Sequence, residues 1–208
     1  MALTASTDVE RRQLFMNHHR IFLVIAVTAF ALPQALAQNQ LNSGEIVDSL
    51  QALETAPGNV TAAVLRQQAL NRIKNHQGDD PRNREPLSDQ LNRLPQLTIE
   101  VNFNFDSAII RPESYRTLGL IADALHHPYL LEYKFLVVGH TDASGKREYN
   151  LNLSQKRADA IREALVTTFR IEPRRVEAVG LGEEQLRDSA NPNSPENRRV
   201  QLITIGKY

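Results

Sequence analysis

An acid and a base lie within the stretch FLVVGHTDASGKREYNLNLSQKRADAIREAL, which runs from Phe135 to Leu165. Asp142 lies in a polar turn after an apolar run, and Arg157 lies on the amphipathic segment that follows. A carboxylate accepts hydrogen bonds from an ammonium group, and a guanidinium holds a carboxylate through two parallel hydrogen bonds that a lysine cannot reproduce. The pair therefore suits the two charged ends of an amino-acid head. The structural alternative is a salt bridge between Asp142 and Arg157 that only fastens the turn to the helix.

The spacing within the amphipathic segment predicts how these side chains are placed. At about 100° per residue, a helix puts Leu151 and Ala158 on one apolar stripe. Asn150 and Arg157 then lie within about 20° of each other on the flank of that stripe, at the border between core and solvent. Since the helix starts soon after the turn that holds Asp142, we expect the three polar side chains to converge at one end of a sheet, where open α/β sheets bind ligands.

Apolar periodicity predicts the elements that position these residues. Strict alternation in LTIEVNFNF, residues 97–105, predicts a half-buried strand with Phe103 and Phe105 on its apolar side. RPESYRTLGLIADAL predicts a helix, FLVVG a central strand covered on both faces, RVEAVGLG a third strand and RRVQLITI a fourth. Strands joined by helices run parallel through right-handed crossovers. The order β-α-β-α-β-β therefore predicts an α+β fold, a mixed-sheet two-layer sandwich.

The N-terminal half reads as three further segments. Residues 16–38 combine a short basic start, an apolar run and the small-residue pattern Ala35-Leu36-Ala37, which predicts a signal peptide over residues 1–37, with Met16 a candidate for the true start. Residues 38–77 predict a short helical arm with a stripe of Ile46, Val47, Leu50 and Leu53. Residues 78–95 are polar and proline-rich, which predicts a flexible solvated linker. The main domain is then expected over residues 96–208.

Composition disfavours several classes of function. Lys plus Arg and Asp plus Glu are 24 each, so no net field attracts nucleic acid. There is no cysteine, which removes thiolate metal sites, a cysteine nucleophile and acylation of an N-terminal cysteine. The histidines, including His140, match no zinc-ligand spacing, so we expect neither a metal nor a cofactor. His140, Asp142 and Ser144 supply the residue types of a hydrolase, but they crowd one turn and no Gly-x-Ser-x-Gly elbow is present.

Four motifs in order resemble the signatures of the OmpA C-terminal-like domain, a peptidoglycan-binding module of Gram-negative envelopes. They are FNFDSA, GHTDASGKREYNLNLSQKRADAI, VGLGEE and NPNSPENRRVQL, within residues 97–205. The resemblance implies the sandwich fold, no catalysis, and a periplasmic protein associated with the outer membrane or cell wall. It also implies noncovalent binding of the peptide stem of peptidoglycan, which would fasten the envelope layers together.

By this resemblance, Asp142 and Arg157 correspond to the family residues that grip the ammonium and carboxylate of meso-diaminopimelate. Thr141, Asn150, Asp106 and Arg198 are expected to line or brace the same site. Two alternatives remain open. The domain could keep the fold while its N-terminal helices engage another envelope protein, or, less favoured, it could be a periplasmic hydrolase.

Overall fold

The sheet places its two most apolar strands at the centre, and they are buried on both faces. In the computed structural model, which describes residues 42–51 and 60–207, the strands are β1 Gln96–Ile99, β2 Tyr133–His140, β3 Val176–Gly182 and β4 Val200–Lys207. Their order is β1-β4-β2-β3. β2 pairs in parallel with β3, and β4 runs antiparallel to both β1 and β2. The mixed sheet is confirmed.

Helices α1, α3 and α4 contribute to the apolar core on one face of the sheet, and α2 packs on the other face. The bounds are α1 Ser43–Leu50, α2 Ala62–Lys74, α3 Tyr115–Leu125 and α4 Arg147–Glu163, which continues as a wider turn over Ala164–Thr168. Because strand side chains alternate, Phe135 and Val137 join the first core, whereas Leu136 and Val138 join the second. The prediction that FLVVG is covered on both faces is therefore confirmed.

The first predicted strand is shorter than its alternation suggested. β1 ends at Ile99, opposite Val200 at the start of β4. Beyond it the chain folds back on itself: Arg111 N donates to Asn102 O at 2.9 Å, and Asn104 N donates to Ile109 O at 3.0 Å. With no sheet partner there, Phe105 is fully exposed, so its predicted place on the buried side is wrong.

The predicted arm packs on the domain itself. Ile46, Val47 and Leu50 are buried against α3 and β1, and Thr204 Oγ1 donates to Leu50 O at 2.6 Å. The stripe is thus not an exposed surface; its fourth member, Leu53, lies outside the described residues. The signal-peptide prediction for residues 1–37 also lies outside them.

The segment predicted to be a solvated linker carries two anchors. Most of its side chains between residues 78 and 95 are exposed, but Leu91 is buried in the second core and Arg84 is buried beside Glu183. A short 3-10 helix, Leu91–Arg93, turns the chain toward β1. A polar, proline-rich composition gave no indication that one arginine of this segment pairs with a buried acid. Within residues 42–51 and 60–207, no helix is long and apolar enough to cross a membrane.

Candidate functional site

A cavity of about 1020 Å³ opens where β2 ends and α4 begins. One wall is the chain after β1, a second is the turn 141–144 with the first half of α4, and a third is the turn before β4. All six residues predicted for the site line this cavity: Asp106, Thr141, Asp142, Asn150, Arg157 and Arg198. The topology thus brings them together from four separate stretches of sequence.

Asp142 is held in the turn by its neighbours and is paired with Arg198. Its Oδ1 accepts from Ser144 N at 3.0 Å, and its Oδ2 accepts from Arg198 Nη1 at 2.6 Å. The alternative of a direct salt bridge between Asp142 and Arg157 is wrong, because β4 lies next to β2 and brings Arg198 to the carboxylate first. Two oxygens offer about four acceptor positions, so Asp142 retains capacity for a further donor.

Arg157 is fixed by one edge and by one face of its guanidinium. Its Nε donates to Ser107 O at 3.0 Å, and its central carbon lies 4.9 Å from the centre of the Phe103 ring. Across the described part of the chain, no acceptor takes a hydrogen bond from its two terminal nitrogens. Burial lowers the pKa of Arg157, an effect that Tyr149 and Asp106 oppose. An arginine nevertheless stays protonated, so this one presents two charged donors to the cavity.

Asp106 forms the outer rim of the cavity. Its backbone is left-handed, with φ of 49°, in the turn that reverses the chain after β1. The hydroxyl of Tyr149, at the start of α4, donates to its carboxylate. Tyr149 was not among the residues predicted from sequence, although its place directly before Asn150 puts it on the same end of the helix. Asp106 thus adds a second negative charge near Arg157.

Asn150 braces the turn that carries Asp142. Its side chain is buried, and its Nδ2 lies 3.2 Å from Asp142 O, 3.1 Å from Ser144 O and 2.6 Å from Glu183 Oε2. Sequence reasoning missed Glu183, which is also buried. The sequence signal is that Glu183 directly follows Gly182, the last residue of β3. An acid at the end of an apolar strand is a candidate for a buried carboxylate, and a buried carboxylate requires partners.

Thr141 and His140 lie at the inner end of the cavity. Thr141 N donates to Gly182 O at 2.9 Å, whereas its Oγ1 is buried with no hydrogen-bond partner among the described residues. The backbone N of His140 donates to Arg199 O at 3.0 Å, so this strand end is hydrogen-bonded to the turn before β4. Its two ring nitrogens are buried, and neither has a hydrogen-bond partner among the described residues. Burial, and then the charge of Arg199, lower the pKa of His140 well below its usual value.

The same contacts bear on the hydrolase alternative. A serine hydrolase needs a histidine nitrogen that accepts from a serine hydroxyl. Among the described residues, neither ring nitrogen of His140 accepts a hydrogen bond from a serine hydroxyl. Ser144 contacts Asp142 through its backbone N, which donates to Asp142 Oδ1. The turn therefore has the residue types of a triad without its hydrogen bonds.

The model of the OmpA family matches residues 102–200, which contain all six predicted site residues. A solved structure, the peptidoglycan-associated lipoprotein from Burkholderia pseudomallei, is 37% identical over 50% of this chain and 87% of that one, with a TM-score of 0.41. Residues 102–200 thus form a domain of the OmpA family.

Curated relatives match the same part of the chain. Outer membrane porin F of Pseudomonas fluorescens is 35% identical over 52% of this chain and 33% of the porin. The peptidoglycan-associated lipoprotein of Brucella melitensis is 36% identical over 50% of this chain and 61% of the lipoprotein. The chain thus spans between a third and about three fifths of the length of these relatives. The residues before the domain, including α1, α2 and Arg84, lie outside the family match.

Proposed function

We propose that the domain binds the peptide stem of peptidoglycan without covalent chemistry, and that it does so through the amino-acid head of meso-diaminopimelate. Asp142 accepts from the ligand ammonium, and Arg157 donates to the ligand carboxylate. The observation that carries this proposal is that the two charges line one cavity without pairing with each other. An ion pair between them would leave no reason for a zwitterion to bind.

The remaining predicted residues have supporting roles in this proposal. Arg198 compensates the charge of Asp142 before the ligand arrives, and it adds a second cation for the ligand carboxylate. Asn150 holds the turn, and Asp106 keeps the charge near Arg157 balanced through Tyr149. The Thr141 hydroxyl, which has no partner within the described residues, is available to a ligand that enters the inner end.

Family membership supports the choice of ligand and compartment. Several relatives are named for their association with peptidoglycan, and others are named as outer-membrane proteins. We propose accordingly that the protein acts in the periplasm, that it fastens or organises the outer membrane and the cell wall, and that it performs no catalysis. A hydrogen bond to a charged group contributes about 1.5–3 kcal/mol, so loss of either charge should weaken a small ligand by one to two decades.

Calorimetric titration with a muropeptide that contains meso-diaminopimelate tests this function. The wild-type chain should bind, and Asp142→Asn and Arg157→Ala should each bind at least about tenfold more weakly. Arg162→Ala is the matched control, because Arg162 also lies on α4 but donates to Val176 O and Pro173 O, away from the cavity. A folded wild-type chain that does not bind, or folded site variants that bind as it does, would contradict the proposal.

A further inference from the structure

A buried charge network connects the turn that carries Asp142 to residues that precede the family domain. Arg84 is 8% exposed and Glu183 is 5% exposed. Arg84 Nη1 donates to Glu183 Oε1 at 3.1 Å and to Glu183 O at 2.9 Å, and Arg84 Nε donates to Gly78 O at 2.6 Å. Arg84 therefore joins its own segment to the end of β3 with one guanidinium.

A second arginine ties the same segment to α4. Arg147, the first residue of α4, donates from Nε and Nη2 to the two oxygens of Glu184 at 2.6 and 2.7 Å. Its Nη1 donates to Asp79 Oδ1 at 3.0 Å, and its Nη2 also donates to Gln77 O at 2.8 Å. The segment 77–84 is thus fastened both to the end of β3 and to the start of the helix that bears the site.

Glu183 divides its two oxygens between Arg84 and Asn150. Oε1 accepts from Arg84, and Oε2 accepts from Asn150 Nδ2 at 2.6 Å. An ionised carboxylate only accepts hydrogen bonds, so it fixes the NH2 end of the Asn150 amide toward itself. The two hydrogens of that NH2 group are shared among three acceptors, because Nδ2 also lies 3.2 Å from Asp142 O and 3.1 Å from Ser144 O.

We propose that Arg84 is a positioning residue for the turn 142–144, and that it acts through Glu183. Arg84 compensates the buried charge of Glu183. Without Arg84, the Glu183 carboxylate would be buried with no cation bonded to it, which is costly, so the side chain would move toward water. Its hydrogen bond to Asn150 Nδ2 would then be weakened, and the turn would lose its orientation. The effect on the turn stands by itself, whereas its consequence for ligand affinity rests on the proposed function.

The chain offers a matched control for Arg84. Arg72, on α2, holds the two residues directly after Arg84 through hydrogen bonds to Glu85 O at 2.7 Å and Pro86 O at 3.0 Å. None of its hydrogen bonds involves Glu183. Arg72→Met therefore loosens the chain next to Arg84 but leaves the hydrogen bonds of Glu183 to Arg84 and Asn150 in place, whereas Arg84→Met removes the first of these bonds.

Nuclear magnetic resonance of the unliganded full chain tests the positioning directly. Arg84→Met should shift the side-chain amide resonances of Asn150 and the backbone amides of Ala143 and Ser144, and Arg72→Met should leave them in place. The double variant Arg84→Met/Glu183→Gln should bring them back toward the wild-type positions, because the new side-chain amide oxygen still accepts from Asn150 and leaves no buried charge unpaired.

Calorimetry with the diaminopimelate muropeptide supplies the second readout. Arg84→Met should weaken binding about tenfold, which corresponds to the loss of about one hydrogen bond between the turn and a charged ligand group, and the double variant should recover most of it. If Arg84→Met does not fold, Arg84→Lys, which keeps the charge but has fewer donors, should give intermediate shifts. Unchanged turn resonances in a folded Arg84 variant would overturn the inference. A wild-type chain that binds no muropeptide would refute the proposed function, while the resonances would still decide the role of Arg84.

Discussion

The close approach of α4 to the sheet depends on Gly180, and Gly180→Ala tests this packing. A Cβ at residue 180 would lie 1.9 Å from Gln155 N and 2.4 Å from Ser154 C, both backbone atoms of α4. Real Cβ atoms essentially never approach below 3.0 Å, so α4 would have to retreat by about 1.1 Å. Since the next residues along α4 include Arg157, this displacement is large enough to misplace the site.

The expected cost follows from the atoms involved. Overpacking a core costs about 1–3 kcal/mol when side chains can yield. Here the obstacle is helix backbone, and the 2.8 Å hydrogen bond from Gly180 N to Gln155 Oε1 is disturbed as well. We therefore expect Gly180→Ala to lower the free energy of unfolding by at least about 3 kcal/mol. With a urea slope of about 2 kcal/mol per molar, the midpoint should fall by about 1.5 M.

Urea unfolding followed by circular dichroism measures this change, and Gly119→Ala is its control. Gly119 lies on α3, where an added Cβ would be 3.5 Å from Phe169 Cε1, an ordinary contact. An alanine there should be neutral or stabilise by up to about 1 kcal/mol through helix propensity. Equal midpoints for the Gly180→Ala protein and the wild type would refute the argument that backbone packing fixes the position of α4.

Three further changes should affect stability in predictable directions. Because the pKa of His140 is lowered in the folded state, only the unfolded chain takes up a proton at this residue as the pH falls below about 6.5. The free energy of unfolding should then decline by up to about 1.4 kcal/mol per pH unit. In His140→Gln, the urea midpoint should depend less on pH between pH 6.5 and 5. An unchanged pH slope in that variant would count against this. Thr141→Val replaces a buried hydroxyl that has no partner among the described residues, so it should leave the free energy of unfolding the same or raise it by about 1 kcal/mol; a loss greater than about 1 kcal/mol would show that the hydroxyl is paired. Gly78→Ala places a Cβ 2.9 Å from Arg84 Cγ at a residue with φ of 64°, and should cost about 1–2 kcal/mol in the same assay; a stable variant would mean that the segment rearranges freely.

The sequence indicated those parts of the fold that follow from local periodicity. The helix α3 and the two-sided burial of FLVVG were predictable, because burial repeats with the period of each element. The exposed Phe105 was not, since the alternation of LTIEVNFNF contains no sign that β4 begins only at Val200. Pairing across the sheet, which decides where a strand ends, depends on residues about one hundred positions away.

The same distinction applies to the site. Local motifs and helix geometry identified Asp142, Asn150 and Arg157, and family resemblance added the others. The ion pair of Asp142 with Arg198 and the burial of Arg84 against Glu183 join distant segments. Their partners could not be read from spacing, because a charge on a polar segment is usually solvated.

The most direct test of the account is whether Arg157 and the ligand carboxylate interact with each other. Calorimetry should compare the diaminopimelate muropeptide with its lysine counterpart, which lacks that carboxylate, on the wild-type and Arg157→Ala proteins. We predict that the wild type prefers the diaminopimelate form by about 10- to 100-fold and that Arg157→Ala loses this preference. If Arg157→Ala weakens both ligands equally, Arg157 does not hold the carboxylate, and the clamp is contradicted.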